Sequence, residues 1–350
     1  MPDDGISVIY GSNGSGKTSL LEGIHYCALT KGFAGSLDSE CVMFSSDYFL
    51  LNSTFIADSG RSSAIKVTYT RGQEKQIIVD HNEIKPFSRH IGHIPCITFS
   101  PAEIVIVNGS PSERRRFLDS AISQTDRTYL DNLLAYRRVL EQRNAFLAQC
   151  SYNRISDKQM LYVWTEQLAR LAAYIVSARI RFVDAFFDRF RELFSQLSVV
   201  EEPRITYRCS LGTIIHDCSC DYLFNLFLDK YSETEKTEIF RAQTLTGPHR
   251  DDLLFFLNDR EIKKYASQGQ LRTFLITLKL AQYCFFLDTL HEKPVCLLDD
   301  IFSELDASRV ADIFMLLQTC GQSIITSVES RGIGSSAAFF IDDLKNSSGS

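Results

Sequence analysis

The chain has 350 residues, 45% hydrophobic and 23% charged, which suits a folded globular protein of about two or three domains. Its net charge of −6 excludes a protein that coats nucleic acid by bulk positive charge. A local basic groove stays open, because screening limits each charge to about 8–10 Å at physiological salt. No uninterrupted apolar run approaches the ~20 residues of a membrane span, and the first ten residues hold no signal-peptide core.

The first element is a short β-type run, Ser7-Val8-Ile9-Tyr10. Gly11-Ser12-Asn13-Gly14-Ser15-Gly16-Lys17-Thr18 follows and fits G-x-x-x-x-G-K-[ST], with a helical run from Ser19 to Tyr26 behind it. Strand, loop and helix are the context this phosphate-binding motif needs. Glycines let successive N–H groups wrap a phosphate, and the helix N-terminus adds partial positive charge. Lys17 is placed for the β- and γ-phosphates of ATP, and the Thr18 hydroxyl for Mg²⁺.

Further β-type runs span 64–69, 76–79 and 94–99, the last ending at Ser100-Pro101. From 111 to 198 the apolar period becomes helical. One face runs from Tyr129 to Leu147, a second from Leu161 to Ile175 and a third from Ile180 to Leu197. Three amphipathic helices without a sustained heptad predict a packed lobe inserted into an α/β domain. The expected division is 1–110 and 199–345 for the two parts of the ATPase domain, with the lobe at 111–198.

Inside that lobe, Arg114-Arg115-Arg116 is the densest basic run, with Arg137, Arg138 and Arg143 downstream. It reads either as a stripe of DNA phosphate contacts or as a solvated helix start balanced by Glu113, Asp119 and Glu141. After residue 199 strand-type runs return at 204–207 and 253–257, with an Asn258-Asp259 turn making 253–264 a candidate hairpin. His249-Arg250, just before it, reads as structural or as a contact to nucleotide or DNA. His216-Asp217-Cys218-Ser219-Cys220 has no second ligand pair at metal-site spacing, which favours a loop. The ten cysteines are scattered, several within apolar runs, and predict buried thiols in a reducing, cytoplasmic compartment.

Ser267-Gln268-Gly269-Gln270 opens an amphipathic helix and offers a second anion site from a hydroxyl, free N–H groups and the helix dipole. The apolar run from Pro294 to Leu298 ends in Asp299-Asp300. Asp299 is the candidate Mg²⁺ ligand and Asp300 the candidate base that orients a water. Ser303-Glu304-Leu305-Asp306 comes next, and the strand Ile324-Ile325-Thr326-Ser327 closes the series.

The order of these segments resembles an ABC-type ATPase. That resemblance implies two nucleotides sandwiched in a two-fold dimer, Ser267, Gly269 and Gln270 of one copy capping the γ-phosphate held by the other. Phe99-Ser100-Pro101, Val107 to Asp119, Tyr136 to Asn144, Gly247 to Asp252, Ser267 to Thr273 and Leu297 to Asp306 resemble the RecF family. The fold implied is α/β, an ABC-type P-loop ATPase head with an inserted helical lobe. The function implied is an ATP-driven dimer with weak ATPase activity that recognises single-strand/double-strand DNA junctions. Its implied partners are RecO and RecR, with which it loads RecA at gaps.

Two departures from the family pattern stand out, with one contrast to transporter ATPases that suits a RecF-type chain better. Family members carry two more strands and an Asn-Phe-Arg segment ahead of the loop, covering the sheet edge and adenine pocket. Here Gly11 stands ten residues from Met1, which predicts an upstream start or an adenine site built differently. The family's Pro-Glu-Asp step reads Pro101-Ala102-Glu103, and Thr326 stands where transporter ATPases carry a switch histidine. The rivals are a transporter subunit, which needs a compact insertion, a cohesin-type ATPase, which needs a long heptad arm, and a non-catalytic ATP-switched DNA clamp.

Overall fold

The computed structural model describes residues 5–33, 36–153, 158–197, 201–212, 219–300, 307–318, 320–329 and 337–347. In chain order they begin with β1 (Ile6–Tyr10), α1 (Lys17–Leu29), β2 (Tyr48–Ile56), β3 (Ser62–Thr70), β4 (Gln76–Val79), β5 (Asn82–Glu83) and β6 (Cys96–Phe99). Four helices follow: α2 (Val105–Asn108), α3 (Pro111–Thr125), α4 (Arg127–Asn153) and α5 (Lys158–Leu197). Next come β7 (Pro203–Arg208), α6 (Cys220–Arg241), β8 (Asp252–Leu257), β9 (Arg260–Glu261) and α7 (Ile262–Tyr265). The last elements are α8 (Gln268–Leu290), β10 (Val295–Asp299), α9 (Ala307–Gln318), β11 (Ser323–Ser327), β12 (Ala337–Phe340) and α10 (Ile341–Ser347).

The chain divides into two units: 1–104 with 193–199 and 267–350, and 105–192 with 200–266. Unit 1 holds a five-stranded parallel sheet in the order β12-β1-β11-β10-β6. Val8, Ile9, Cys296, Leu297, Leu298, Ile324 and Ile325 are buried on its inner strands. Such continuous apolar runs are what a sheet covered on both faces requires. Parallel pairing also brings all strand C-termini to one edge, where ligands bind in open α/β sheets. Leu21 and Tyr26 of α1 share a core with Ile9, Leu297 and Ile324, and with Ile65, Val67, Ile77 and Val79 of the antiparallel sheet β2-β3-β4-β5. Helix α8 is long and apolar enough on composition to cross a membrane, but most of it is buried inside the fold.

Unit 2 combines α3, α4, the greater part of α5, α6 and the three-stranded sheet β7-β8-β9. The second and third helical faces belong to one helix of 40 residues, α5. No glycine or proline interrupts the sequence between them, so nothing breaks the backbone hydrogen bonds. Leu168, Ala172, Ile175, Phe182, Phe186 and Phe190 line its buried side. The hairpin forms at Asn258-Asp259, both with positive φ (48° and 60°), as a two-residue primed turn demands. Its second strand is only two residues long and gives way to α7.

The division differs from the expected one at 193–198, which belong to unit 1, and over 105–110 and 200–266, which group with the helices of unit 2. Long-range ion pairs supply the reason for 200–266: Arg114 with Asp252 (2.8 Å), and Arg143 with Glu238 (2.7 Å). Strand β2 and helix α6 are the longest strand and the longest helix that the sequence reading does not anticipate. Among the described cysteines, Cys27, Cys96, Cys150, Cys209, Cys296 and Cys320 are buried thiols, and Cys220 is exposed. Residues 216–218 of the His-Cys segment lie outside the described residues.

Candidate functional site: a phosphate-binding edge

The loop from Gly11 to Thr18 leaves the end of β1 and enters α1 with Gly16 as N-cap. Gly14 and Gly16 have φ of 76° and 92°, a left-handed region that L side chains rarely adopt. A Cβ on Gly11 would stand 2.6 Å from Cγ2 of the buried Ile341, so the chain comes too close there for any other residue. Ser12, Asn13 and Gly14 are exposed along the rim, and Ser19 is exposed in the first turn of α1. The N–H groups of that first turn have no intrahelical acceptor. Lys17 is 9% exposed, and its Nζ donates to the Gly11 and Ser12 carbonyl oxygens, 2.8 Å each. The buried Oγ of Ser15 has no hydrogen-bond partner among the described residues. A glycine cradle with one orphaned hydroxyl and an ammonium on its rim fits a polyphosphate.

Asp299 ends β10, one strand removed from β1 across β11. Thr18 Oγ1 donates to its carboxylate, 2.9 Å from Oδ1 and 3.1 Å from Oδ2, across 281 residues of sequence. The loop threonine and the strand-end acid are therefore in contact. A hydroxyl beside a carboxylate is the hard-oxygen donor set that suits Mg²⁺, which keeps most of its waters. Thr326 Oγ1 donates to the same Oδ1 at 2.7 Å. Asp300 follows with φ of 47°, and its N–H donates to Thr326 Oγ1 at 3.0 Å.

Comparison with known proteins now bears on the whole chain. A family model described as an AAA domain matches residues 2–204. The chain is 53% identical to the DNA replication and repair protein RecF of Chlorobium phaeovibrioides, over 94% of this chain and 88% of that protein. It is 45% identical to the RecF of Chlorobaculum tepidum, over 99% and 94% respectively. The chain belongs to the RecF family. A solved structure of the recombination mediator protein RecF with ATP, in the RecFOR pathway, matches with a TM-score of 0.89 at 30% identity, covering 95% of this chain and 88% of that one. An Smc head bound to the winged-helix domain of ScpA matches at a TM-score of 0.51 and 14% identity, which shows the shared fold alone. The fold is α/β with an ABC-type ATPase head, and the family is one of DNA replication and repair proteins.

The segment Ser267 to Gln270 opens α8 with a capping box. Ser267 Oγ accepts the Gln270 N–H at 3.3 Å, and Gln270 Oε1 accepts the Ser267 N–H at 2.7 Å. Accepting leaves the serine its own proton to donate. Ser267 is exposed, while Gly269 and Gln270 are half-buried. Glu103, in the divergent Pro-Ala-Glu step, is committed to its surroundings. It accepts from Thr98 Oγ1 (3.0 Å) and from Ser100 N (3.1 Å), and pairs with the buried Lys279 of α8. Sequence reasoning missed this lysine because it sits in an otherwise apolar helix. Ser303 to Asp306 lies outside the described residues.

The basic run resolves into three different environments. Arg114 is 2% exposed and forms a fork with Asp252, Nε to Oδ1 at 2.8 Å and Nη2 to Oδ2 at 3.0 Å. Its remaining nitrogen donates to the Gly109 carbonyl at 2.8 Å. Arg114 is thereby removed from the expected DNA stripe, because its charge is buried and paired. Arg143 is removed for the same reason: it is 1% exposed, bound to Glu238, Thr244 and Thr165 and stacked 4.8 Å from the Tyr231 ring centre. Arg115 is half-buried, with Nη1 on the Asp251 carbonyl at 2.7 Å. Arg116, Arg137 and Arg138 are exposed, Arg116 beside Glu113 (2.8 Å) and Arg137 near Asp119 (3.6 Å).

The segment Gly247 to Asp252 is the centre of a buried polar network in unit 2. His249 hydrogen-bonds Tyr136 Oη at 2.6 Å and the Thr244 carbonyl at 3.2 Å. Burial pulls its pKa down to about 4, so it is neutral at physiological pH. Asp251 accepts from Tyr207 and from Ser210 N (2.7 Å), with Arg179 3.8 Å away. Burial raises its pKa and Arg179 opposes that rise. Gly247 has φ of 137°, and a Cβ there would come within 2.3 Å of Tyr136 Oη. His249 thus reads as structural, while Arg250 is exposed.

Proposed function

We infer that this chain is an ATP-switched DNA-binding protein of replication and recombinational repair. In this reading it recognises single-strand/double-strand junctions at gaps, and works with RecO and RecR to promote RecA loading. The observation that carries the nucleotide part is the Thr18–Asp299 contact beside the Lys17 cradle. Gly11 to Ser19 hold the phosphates through backbone N–H groups, and Lys17 exchanges its carbonyl partners for phosphate oxygens. Thr18 and Asp299 hold the metal, and bound Mg²⁺ offsets the charge of the β- and γ-phosphates. Asp300 orients a water and accepts its proton, giving the slow hydrolysis that resets a switch.

The RecF kinship and the exposed Ser267 support a two-fold dimer in which Ser267, Gly269 and Gln270 of one copy face the γ-phosphate bound by the other. Such an interface is isologous, so closing one site closes both. Arg116, Arg137 and Arg138 remain the candidates for DNA phosphates, with Arg115 at their margin. Binding of a fluorescent gapped duplex tests the reading. Affinity should rise when ATP and Mg²⁺ are added, and should exceed that for a blunt duplex of equal length. Equal affinity with and without ATP would contradict the switch, and equal affinity for the two DNAs would contradict junction recognition.

A further inference from the structure

Thr326 lies on β11, the strand between the phosphate-binding strand β1 and the acidic strand β10, and it is the register partner of both Ile9 and Asp299. It is 1% exposed, yet its hydroxyl serves two acids at once. It donates to Asp299 Oδ1 at 2.7 Å and accepts the Asp300 N–H at 3.0 Å. A hydroxyl has one proton and two lone pairs, so the two bonds are compatible. The first bond fixes one carboxylate oxygen of Asp299. Thr18 Oγ1 donates to the same carboxylate, 2.9 Å from that oxygen and 3.1 Å from Oδ2. The second bond ties down the backbone N–H of Asp300, which sits at a φ of 47°, a left-handed conformation uncommon outside glycine.

We propose that Thr326 is a positioning residue for both acids: its hydroxyl orients the Asp299 carboxylate toward Mg²⁺ and sets the direction in which the Asp300 side chain leaves the strand. The proposal rests on the nucleotide reading above and deepens it. Partners behind a metal ligand commonly control affinity nearly as strongly as the ligand itself. Valine has almost the shape of threonine and suits a strand equally well, so Thr326→Val removes the hydrogen bonds and little else.

Binding of a fluorescent ATP analogue to the full chain, titrated with Mg²⁺ and repeated in EDTA, is the test. Thr326→Val should raise the Mg²⁺ concentration for half-maximal binding about 10–100-fold. Binding in EDTA, held by the loop and Lys17, should not change. Thr326→Ser keeps the hydroxyl and should restore the wild-type Mg²⁺ dependence. Thr326→Ala, a second variant without the hydroxyl, should repeat the valine result and guards against a packing fault peculiar to valine. In an Asp299→Ala background Thr326→Val should add no further shift, since the oxygen its hydroxyl orients is gone. Wild-type Mg²⁺ dependence in the valine and alanine variants would overturn the proposal and leave the nucleotide reading standing. Equal weakening with and without Mg²⁺ would also overturn it, showing a general loss of loop structure. A wild-type chain whose nucleotide binding ignores Mg²⁺ would overturn both.

Discussion

The phosphate-binding edge of unit 1 and the arginine network of unit 2 handle charge in opposite ways. At the edge, Thr18 and Ser19 are exposed, Asp299 and Asp300 are half-buried, and the Lys17 ammonium rests on backbone carbonyls it can leave. In the network, Arg114, Arg143 and Arg179 are each no more than 2% exposed and are bound to Asp252, Glu238 and Asp119. Groups that must meet a ligand sit where water can be exchanged for it. Groups that hold a fold are paired out of water, where losing one partner strands the other's charge. A run such as Arg114-Arg115-Arg116 therefore contains both kinds of residue, and helix geometry separates them by pointing each in a different direction.

The comparison breaks most visibly at Asp300. If, as proposed, Asp299 holds Mg²⁺ and Asp300 accepts the proton, Asp300→Asn should leave ATP binding in place while kcat falls about 10²–10⁴-fold. An unchanged kcat in steady-state hydrolysis would mean that Asp300 is not the base. In unit 2 the large effect should be on stability. Arg114→Ala should destabilise the protein by up to about 3–5 kcal/mol, because the buried Asp252 keeps only the exposed Arg208, 3.2 Å away, as a charged partner. Arg116→Ala, two residues on and exposed, should change stability by no more than about 0.5 kcal/mol. Denaturant unfolding of the two variants side by side decides this, and equal midpoints would erase the distinction.

The exposed arginines are tested on DNA. Replacing Arg116, Arg137 and Arg138 together by Ala should weaken duplex binding and lower the log–log salt slope by up to ~2.7, at about 0.9 per phosphate contact. Weaker binding with an unchanged slope would assign these arginines a structural part instead.

The edge was legible in the sequence because its signals are local: eight residues of loop, and five apolar residues ending in two acids. The network was not legible, because Arg114 and Asp252 are 138 residues apart and neither has a local pattern that names the other. Strand β2 escaped notice because Tyr48-Phe49-Leu50-Leu51 is apolar on both faces, which hides the period of two. Helix α6 buries Leu223, Phe227, Tyr231 and Glu238. Its final buried position is a glutamate, which reads as surface until Arg143 is found beside it. The two faces assigned to separate helices in 161–197 merged into α5 for want of any residue that ends a helix.

Sedimentation of the full chain with ATP and Mg²⁺ puts the proposed dimer to the test, since the sandwich requires both a bound nucleotide and a second copy. Wild type should shift from monomer to dimer when both are present, and Lys17→Ala, lacking the cation that faces the β- and γ-phosphates, should remain monomeric. Equal dimer fractions for the two proteins would contradict the account.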